Sequence, residues 1–276
     1  MGIRRLRYGL VAAALYCPSL ARAADGVPPS GVLPVAQPEW TVTLGVEGRL
    51  EPAFQGADHD LWRPYPLFDI RRAGTPERFR GPRDGAGIAL YESGSFQAGP
   101  VGQLRGPRNE HDDPGLQGLG NVGWTVELGG FAEYWAAPFL RLRGELRQGI
   151  GGHHGITSDL MVDGVFALTP QLTISGGPRA SFATGPATSP YFSINAAQSQ
   201  VSGLPVYDAK GGLHSFGLGA QARYRWTPEW AAHVFLEYEH LQGDAANSPL
   251  VVLRGDPNQL TFGVGMSRSF NIKQFW

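Results

Sequence analysis

Between Phe139 and Gln148 the chain alternates with a period of two. Leu140, Leu142, Gly144 and Leu146 fall on one parity, and Arg141, Arg143, Glu145 and Arg147 on the other. Successive side chains of a β-strand point to opposite faces. Such a strand must give one face to an apolar medium and the other to a polar one. A helical period would mix both sets on every face. The same alternation recurs along the chain. Val122, Trp124, Val126, Leu128, Ala132 and Tyr134 oppose Thr125, Glu127, Phe131, Glu133 and Trp135. Phe216, Leu218, Ala220, Ala222 and Tyr224 oppose Gln221, Arg223 and Arg225. Leu260, Phe262, Val264 and Met266 oppose Thr261, Gly263, Gly265 and Ser267.

The connections also alternate. Ala136-Ala137-Pro138, Thr169-Pro170 and Thr227-Pro228-Glu229 are short, whereas 148–157, 184–211 and 242–257 are long. Tight turns at one end and long loops at the other mark an up-and-down barrel. Strands are expected near 40–50, 64–72, 76–81, 85–92, 96–106, 122–135, 139–148, 158–168, 171–183, 212–226, 229–241 and 258–270. The predicted fold is therefore all-β, a transmembrane antiparallel up-and-down barrel of 12 strands, with 10 as the alternative count.

A soluble protein would pack the apolar parity against a second sheet, whereas a membrane barrel turns it to lipid and lines its interior with the charged parity. Two features favour lipid. The polar parity carries opposite charges side by side, not the lysine-rich edges of solvated sheets; lysine is confined to Lys210 and Lys273. Aromatics gather near strand ends, at Tyr134, Trp135, Tyr224, Trp226, Trp230 and Tyr238, as in interfacial girdles. A mean hydropathy of −0.18 and the lack of any long apolar run exclude a helical membrane protein. They are compatible with a barrel, because alternating strands average out.

The first 23 residues read as a secretory signal: basic Arg4, Arg5 and Arg7, an apolar run Tyr8–Leu20, then Ala21-Arg22-Ala23. Cleavage is expected between Ala23 and Ala24, followed by a Pro- and Gly-rich periplasmic leader to residue 39 and a single barrel domain over 40–276. The one cysteine, Cys17, lies in the signal behind the bulky Tyr16, a poor lipidation context. The mature chain then has no thiol. Removing the signal's four arginines leaves 23 − 4 = 19 basic against 24 acidic residues, a net −5. That balance lacks the basic footprint of a nucleic-acid binder.

A three-residue turn at Ala136-Ala137-Pro138 would set Glu133 opposite Arg141 and Glu127 opposite Arg147 inside the barrel. Opposite charges directly across two strands stabilise by roughly 0.2–1 kcal/mol each. A water-filled lumen solvating each charge separately is the alternative. At the C-terminal end, Gly265 and Phe270 have the spacing of the signal read by the barrel-assembly machinery. Arg268 stands where a second aromatic is common, and Trp276 is the alternative terminal aromatic.

Two longer motifs resemble the MipA/OmpV family: Tyr191-Phe192-Ser193-Ile194 with Gln198, Ser202-Gly203-Leu204-Pro205-Val206-Tyr207 and Gly211-Gly212-Leu213; and Leu241 through Val251. Gly151-Gly152-His153-His154-Gly155 and Gly177-Pro178-Arg179 add shorter echoes. The resemblance runs from Trp40 to Phe270. It implies an outer-membrane barrel in contact with outer-membrane lipid. It also implies a scaffold that joins a murein lytic transglycosylase to a penicillin-binding protein, other family members being porin-like or adhesin-like. Both motifs fall in long loops, which either bind a partner, fold inward as a plug, or pack against the barrel.

No cofactor or metal site is expected. Adjacent His153 and His154 point to opposite sides of an extended chain. Gly115–Gly120 lacks the strand–helix context of a nucleotide loop. No Gly-x-Ser-x-Gly elbow occurs. A hydrolase would draw on Ser215 with His214 or His233, but the register sets Arg223 opposite His233 and no acid converges there. The functional expectation is a non-enzymatic scaffold first, a small-solute pore second and a hydrolase third.

Overall fold

The computed structural model describes residues 40–74 and 77–272. The signal with its Ala23/Ala24 cleavage site, the leader and Trp276 lie outside the described residues. The described chain forms one antiparallel sheet of twelve strands. They are β1 (Trp40–Pro52), β2 (Asp60–Arg72), β3 (Ala86–Gly87), β4 (Tyr91–Ser93), β5 (Phe96–Arg105), β6 (Thr125–Ala137), β7 (Leu140–Gly151), β8 (Ile156–Ala167), β9 (Leu172–Ala183), β10 (Gly212–Arg225), β11 (Trp230–Leu241) and β12 (Asn258–Ile272). Neighbours in sequence are neighbours in the sheet from β5 to β12, and β12 pairs with β1. Among the described residues no helix is long and apolar enough to cross a membrane.

The two parities separate as the alternation requires. Leu44, Leu128, Leu146, Leu160, Leu218 and Val264 stand outward and exposed, while Glu47, Glu127, Glu145, Arg147 and Asp159 are buried inside. Among the described residues one sheet holds every strand, and no second sheet covers the outer face. The long loops 52–60, 105–125, 183–212 and 241–258 share one end. At the other lie the tight β6–β7, β8–β9 and β10–β11 turns and the Trp40–Ile272 pairing of β1 with β12. The outer face at the tight-turn end carries stacked pairs, Phe139 on Phe166 at 5.8 Å and Trp226 on Trp230 at 6.2 Å. Trp135 is not part of this girdle. It faces inward, donating from Nε1 to Glu133 at 3.0 Å.

The strand expected over 76–81 does not form over its described residues: 77–81 join no ladder. Neither parity of Glu77, Arg78, Phe79 and Arg80 is apolar, so neither can face lipid. Gly81 and Pro82 then end any extended run. The strand expected over 85–92 divides into β3 and β4, which lie in line against β5. Ile88 and Leu90 between them still donate to Pro100 and Ala98, but Pro100 has no N–H to return. Twelve strands are thus reached by a different division. The ladder is open between β2 and β3. Side chains of the intervening segment bridge that seam: Arg80 donates to Phe68 O at 3.3 Å and lies 3.7 Å from Asp69 on β2, and Arg78 pairs with Glu92 on β4.

The long loops fold into a cap. Helices α1 (Gly185–Phe192), α2 (Ala196–Ser202), α3 (Gly243–Ala246) and α4 (Pro249–Arg254) occupy two of them. Phe54, Leu116, Leu119, Ile194, Leu204 and Leu250 make one apolar cluster. Val122, Tyr191, Phe192, Leu241 and Val251 make a second, and Tyr207 packs on both. A capping box starts α2, with Asn195 and Gln198 exchanging bonds of 2.9 Å. Gly203, at φ 75°, ends it in the left-handed region that favours glycine.

A polar tie joins two loops of the cap. His59 Nε2 lies 2.7 Å from Asp113, whose other oxygen caps the Gly115 N–H at 2.7 Å. A hydrogen bond to Asp58 raises the His59 pKa, and Asp113 adds to it; the same bond lowers that of Asp58. A raised histidine stabilises fully below its unfolded value and loses that contribution as pH rises through the folded one. A lowered aspartate loses its contribution as pH falls through its folded value. The tie is therefore complete between about pH 4 and 6.5 and weakens above. Hydrogen exchange at the amides of Gly115 and Leu116, which Asp113 holds, corrected for the intrinsic rate, is expected to speed up between pH 6 and 9. His59→Gln should remove that step.

Candidate functional site

The interior is a continuous ion network. Arg141, fully buried on β7, donates from Nε to Glu133 at 2.9 Å, from Nη1 to Asp163 at 2.8 Å and from Nη2 to Asp84 at 2.5 Å. Arg147 Nε donates to Glu127 at 3.0 Å, and its other nitrogens reach Glu145 and Asp159. Arg143 lies 3.1 Å from Glu133 and 2.8 Å from Glu145. Arg179 on β9 takes the second oxygen of Asp163 at 2.5 Å. Charges taken out of water this far need several partners each, and these have them.

The pairs Glu133–Arg141 and Glu127–Arg147 meet diagonally, not directly across the ladder. Ala137 pairs with Leu140 after a register shift, so Trp135 stands opposite Arg141 and Glu133 opposite Arg143. The connection is a two-residue turn with a bulge, where three residues were expected. The long guanidinium stems recover the diagonal contact. Glu127 also takes His153 Nε2 at 3.0 Å and Arg105 at 3.1 Å. His153 is buried in this network while His154 is exposed, so the two histidines part as adjacent strand residues do. Among the described residues no cluster of three metal-ligating side chains occurs.

A strap unseen in the alternation crosses the lumen. Residues 77–85 leave the foot of β2 and enter the barrel before β3. Glu77 pairs with Arg223, near the tight-turn end of β10. Phe79 meets Trp135 edge-on at 6.3 Å and lies under Arg141 at 5.0 Å. Arg83 crosses to the opposite wall: Nε donates to Glu237 at 2.6 Å, Nη1 to Ser181 at 2.8 Å, and Nη2 lies 2.5 Å from Glu239. Asp84 turns back to Arg141, and Gly85 N donates to Glu145 at 3.1 Å. One signal was available in the sequence: the run 77–84 has a charge on both parities and so fits neither lipid nor a lumen wall.

His233 and Ser215 are not brought together. His233 pairs with Arg223 in the ladder, as expected, and its Nε2 bonds Glu47 on β1, an acid that sequence reasoning missed. Ser215 donates to Glu239 at 2.5 Å. Positions 215 and 223 of β10 are eight residues apart, roughly 26 Å along a strand. Gly265 is the space that His233 uses, since a Cβ there would sit 2.5 Å from its ring. Phe270 stands on the outer face under Arg268, at 4.8 Å. The Gly115–Gly120 loop turns two N–H groups, of Gly118 and Gly120, to the protein's own Glu110 at 3.0 Å each.

The two family-like motifs build the cap. Ser248 Oγ donates to Phe192 O at 2.7 Å, Ile194 and Tyr207 exchange backbone bonds, and Tyr207 OH donates to Asp244 O at 3.1 Å. Burial lowers the pKa of nearby Arg108 to about 10 while its Nη1 holds Tyr191 O at 2.6 Å. The sequence matches the family of the MltA-interacting protein MipA over residues 44–270. The chain belongs to the MipA family. Its apolar outer band, charged interior and tight turns at one end are those of an outer-membrane β-barrel. No curated protein matches the sequence. Among solved structures it is similar to the KdgM porin, at 10% identity over 83% of this chain and 99% of that one, TM-score 0.40. An outer membrane channel from Pseudomonas putida F1 shares 11% identity over 89% and 100%, TM-score 0.42. The CymD monoaromatic hydrocarbon channel shares 9% over 87% and 90%, TM-score 0.38.

Proposed function

We propose that this MipA-family barrel is a closed, non-enzymatic anchor in the bacterial outer membrane. Its tight-turn end faces the periplasm and recruits murein-processing enzymes, a lytic transglycosylase of the MltA type and a penicillin-binding protein. The observation that carries this reading is Arg83, which spans the lumen from the strap to Glu237 and Glu239. A guanidinium locked between wall carboxylates, below a cap with its own apolar core, leaves a poor route for solutes. Purified protein in planar bilayers is expected to stay silent, and immobilised protein to retain both enzymes from a periplasmic extract at low salt. Steady conductance by the wild type, or clean failure to retain either enzyme, contradicts the anchor.

A pore is the second reading. What favours it is that 77–81 is held by side-chain ion pairs and not by ladder bonds. A plug so attached is displaceable.

A further inference from the structure

Below Arg83 the lumen is not filled. A cavity of about 410 Å³ lies at the tight-turn end, between the strap and the inner faces of β6, β8, β9 and β10. That volume is in the range of small-molecule sites. Its wall is of two kinds. Phe79, Trp135, Pro138 and Val165 form an apolar side. Arg78, Arg80, Arg223 and Arg225 supply four guanidinium groups against one carboxylate, Glu77. Counting Asp69 and Glu92, which pair with Arg80 and Arg78 from outside the lining, the balance is 4 − 3 and still positive.

The carboxylate already there defines the ligand class. Glu77 bonds Arg223 but comes no nearer to Arg225 than 4.0 Å, beyond hydrogen-bond reach. The guanidinium fork matches a carboxylate in two parallel bonds, and one Glu77 carboxylate satisfies only one of the two arginines. Gln221 is on the same wall with Oε1 buried and without a partner among the described residues. Its amide can present either a donor or an acceptor to an entering group. We propose that this periplasmic cavity is a binding site for a small flat dicarboxylate, which displaces Glu77 from Arg223, engages Arg225 as well, and lies against Phe79 and Trp135.

The site rests on the barrel orientation proposed above, but its test does not depend on partners or conductance. Phthalate carries two carboxylates on one ring and is the probe. Calorimetric titration of detergent-solubilised full-length protein is expected to show saturable binding, weaker for inorganic phosphate. Glu77→Gln removes the resident competitor and should tighten phthalate binding roughly tenfold, whereas Arg223→Gln should weaken it by at least that factor. Heat-modifiable gel mobility checks that both variants are folded. A merely basic patch would also gain anion affinity on losing Glu77, but for phosphate as much as for phthalate, so it is the preference for phthalate in Glu77→Gln that marks a built site. Lack of saturable binding to Glu77→Gln, equal affinity in folded Arg223→Gln, or phosphate binding as tightly as phthalate would each overturn the assignment.

Discussion

Arg141→Ala is expected to destabilise the barrel by about 3–5 kcal/mol, the usual cost of removing one partner from a buried charge cluster. Arg141 is fully buried and carries Asp84, Glu133 and Asp163. Without it, Glu133 keeps Arg143 and Asp163 keeps Arg179. Asp84 keeps the Gly81 N–H at 2.9 Å and, as its cation, Arg143 at 3.8 Å. Three buried carboxylates then share two guanidiniums. Urea unfolding in lipid vesicles measures the loss. Lys210→Ala is the control, because the Lys210–Asp208 pair is exposed and such pairs contribute about 1 kcal/mol or less. Equal midpoints for the two variants would show that the lumen is wet and its charges individually solvated.

Arg83→Ala is expected to turn a silent barrel into a cation-preferring channel. Arg83 is the cation shared by Glu237 and Glu239, with Asp159 at 3.7 Å. Its removal cuts the strap's contacts to β9 and β11, leaving Glu77 on Arg223 of β10, and leaves carboxylates lining the gap. A ring of acidic side chains selects cations. Reversal potentials under a salt gradient give the sign. A rise in conductance with anion preference would place the opened path along the arginines of the tight-turn end instead. A variant as silent as the wild type would mean that Arg83 is not the stopper. Because Arg83 is outside the ladder, the strands should keep their pairing, and the variant's heat-modifiable mobility should match the wild type.

Much of the fold was legible along the chain. The parity of Leu140 to Arg147 already assigns one face to lipid and the other to the interior. The alternation of tight turns and long loops orders the strands. The family-like motifs mark the loops that become the cap. The functional interior was legible only as composition: Glu127, Glu133, Arg141 and Arg147 were expected to pair, but directly across the ladder. The bulge at Trp135–Ala137 moved each by two positions, and a bulge depends on local backbone geometry that parity does not encode.

Residues 77–85 were the larger miss. Neither parity of this charged run is apolar, so the wall position expected for it has no face to give to lipid. Periodicity is a property of neighbours in sequence, and it determined which side chains leave the water. Which charge meets which, and that Arg83 and Asp84 close the lumen, is a property of walls brought together by the curl of the sheet. That distance in sequence, 154 residues from Arg83 to Glu237, carries no local signal, so only the tertiary structure decided it.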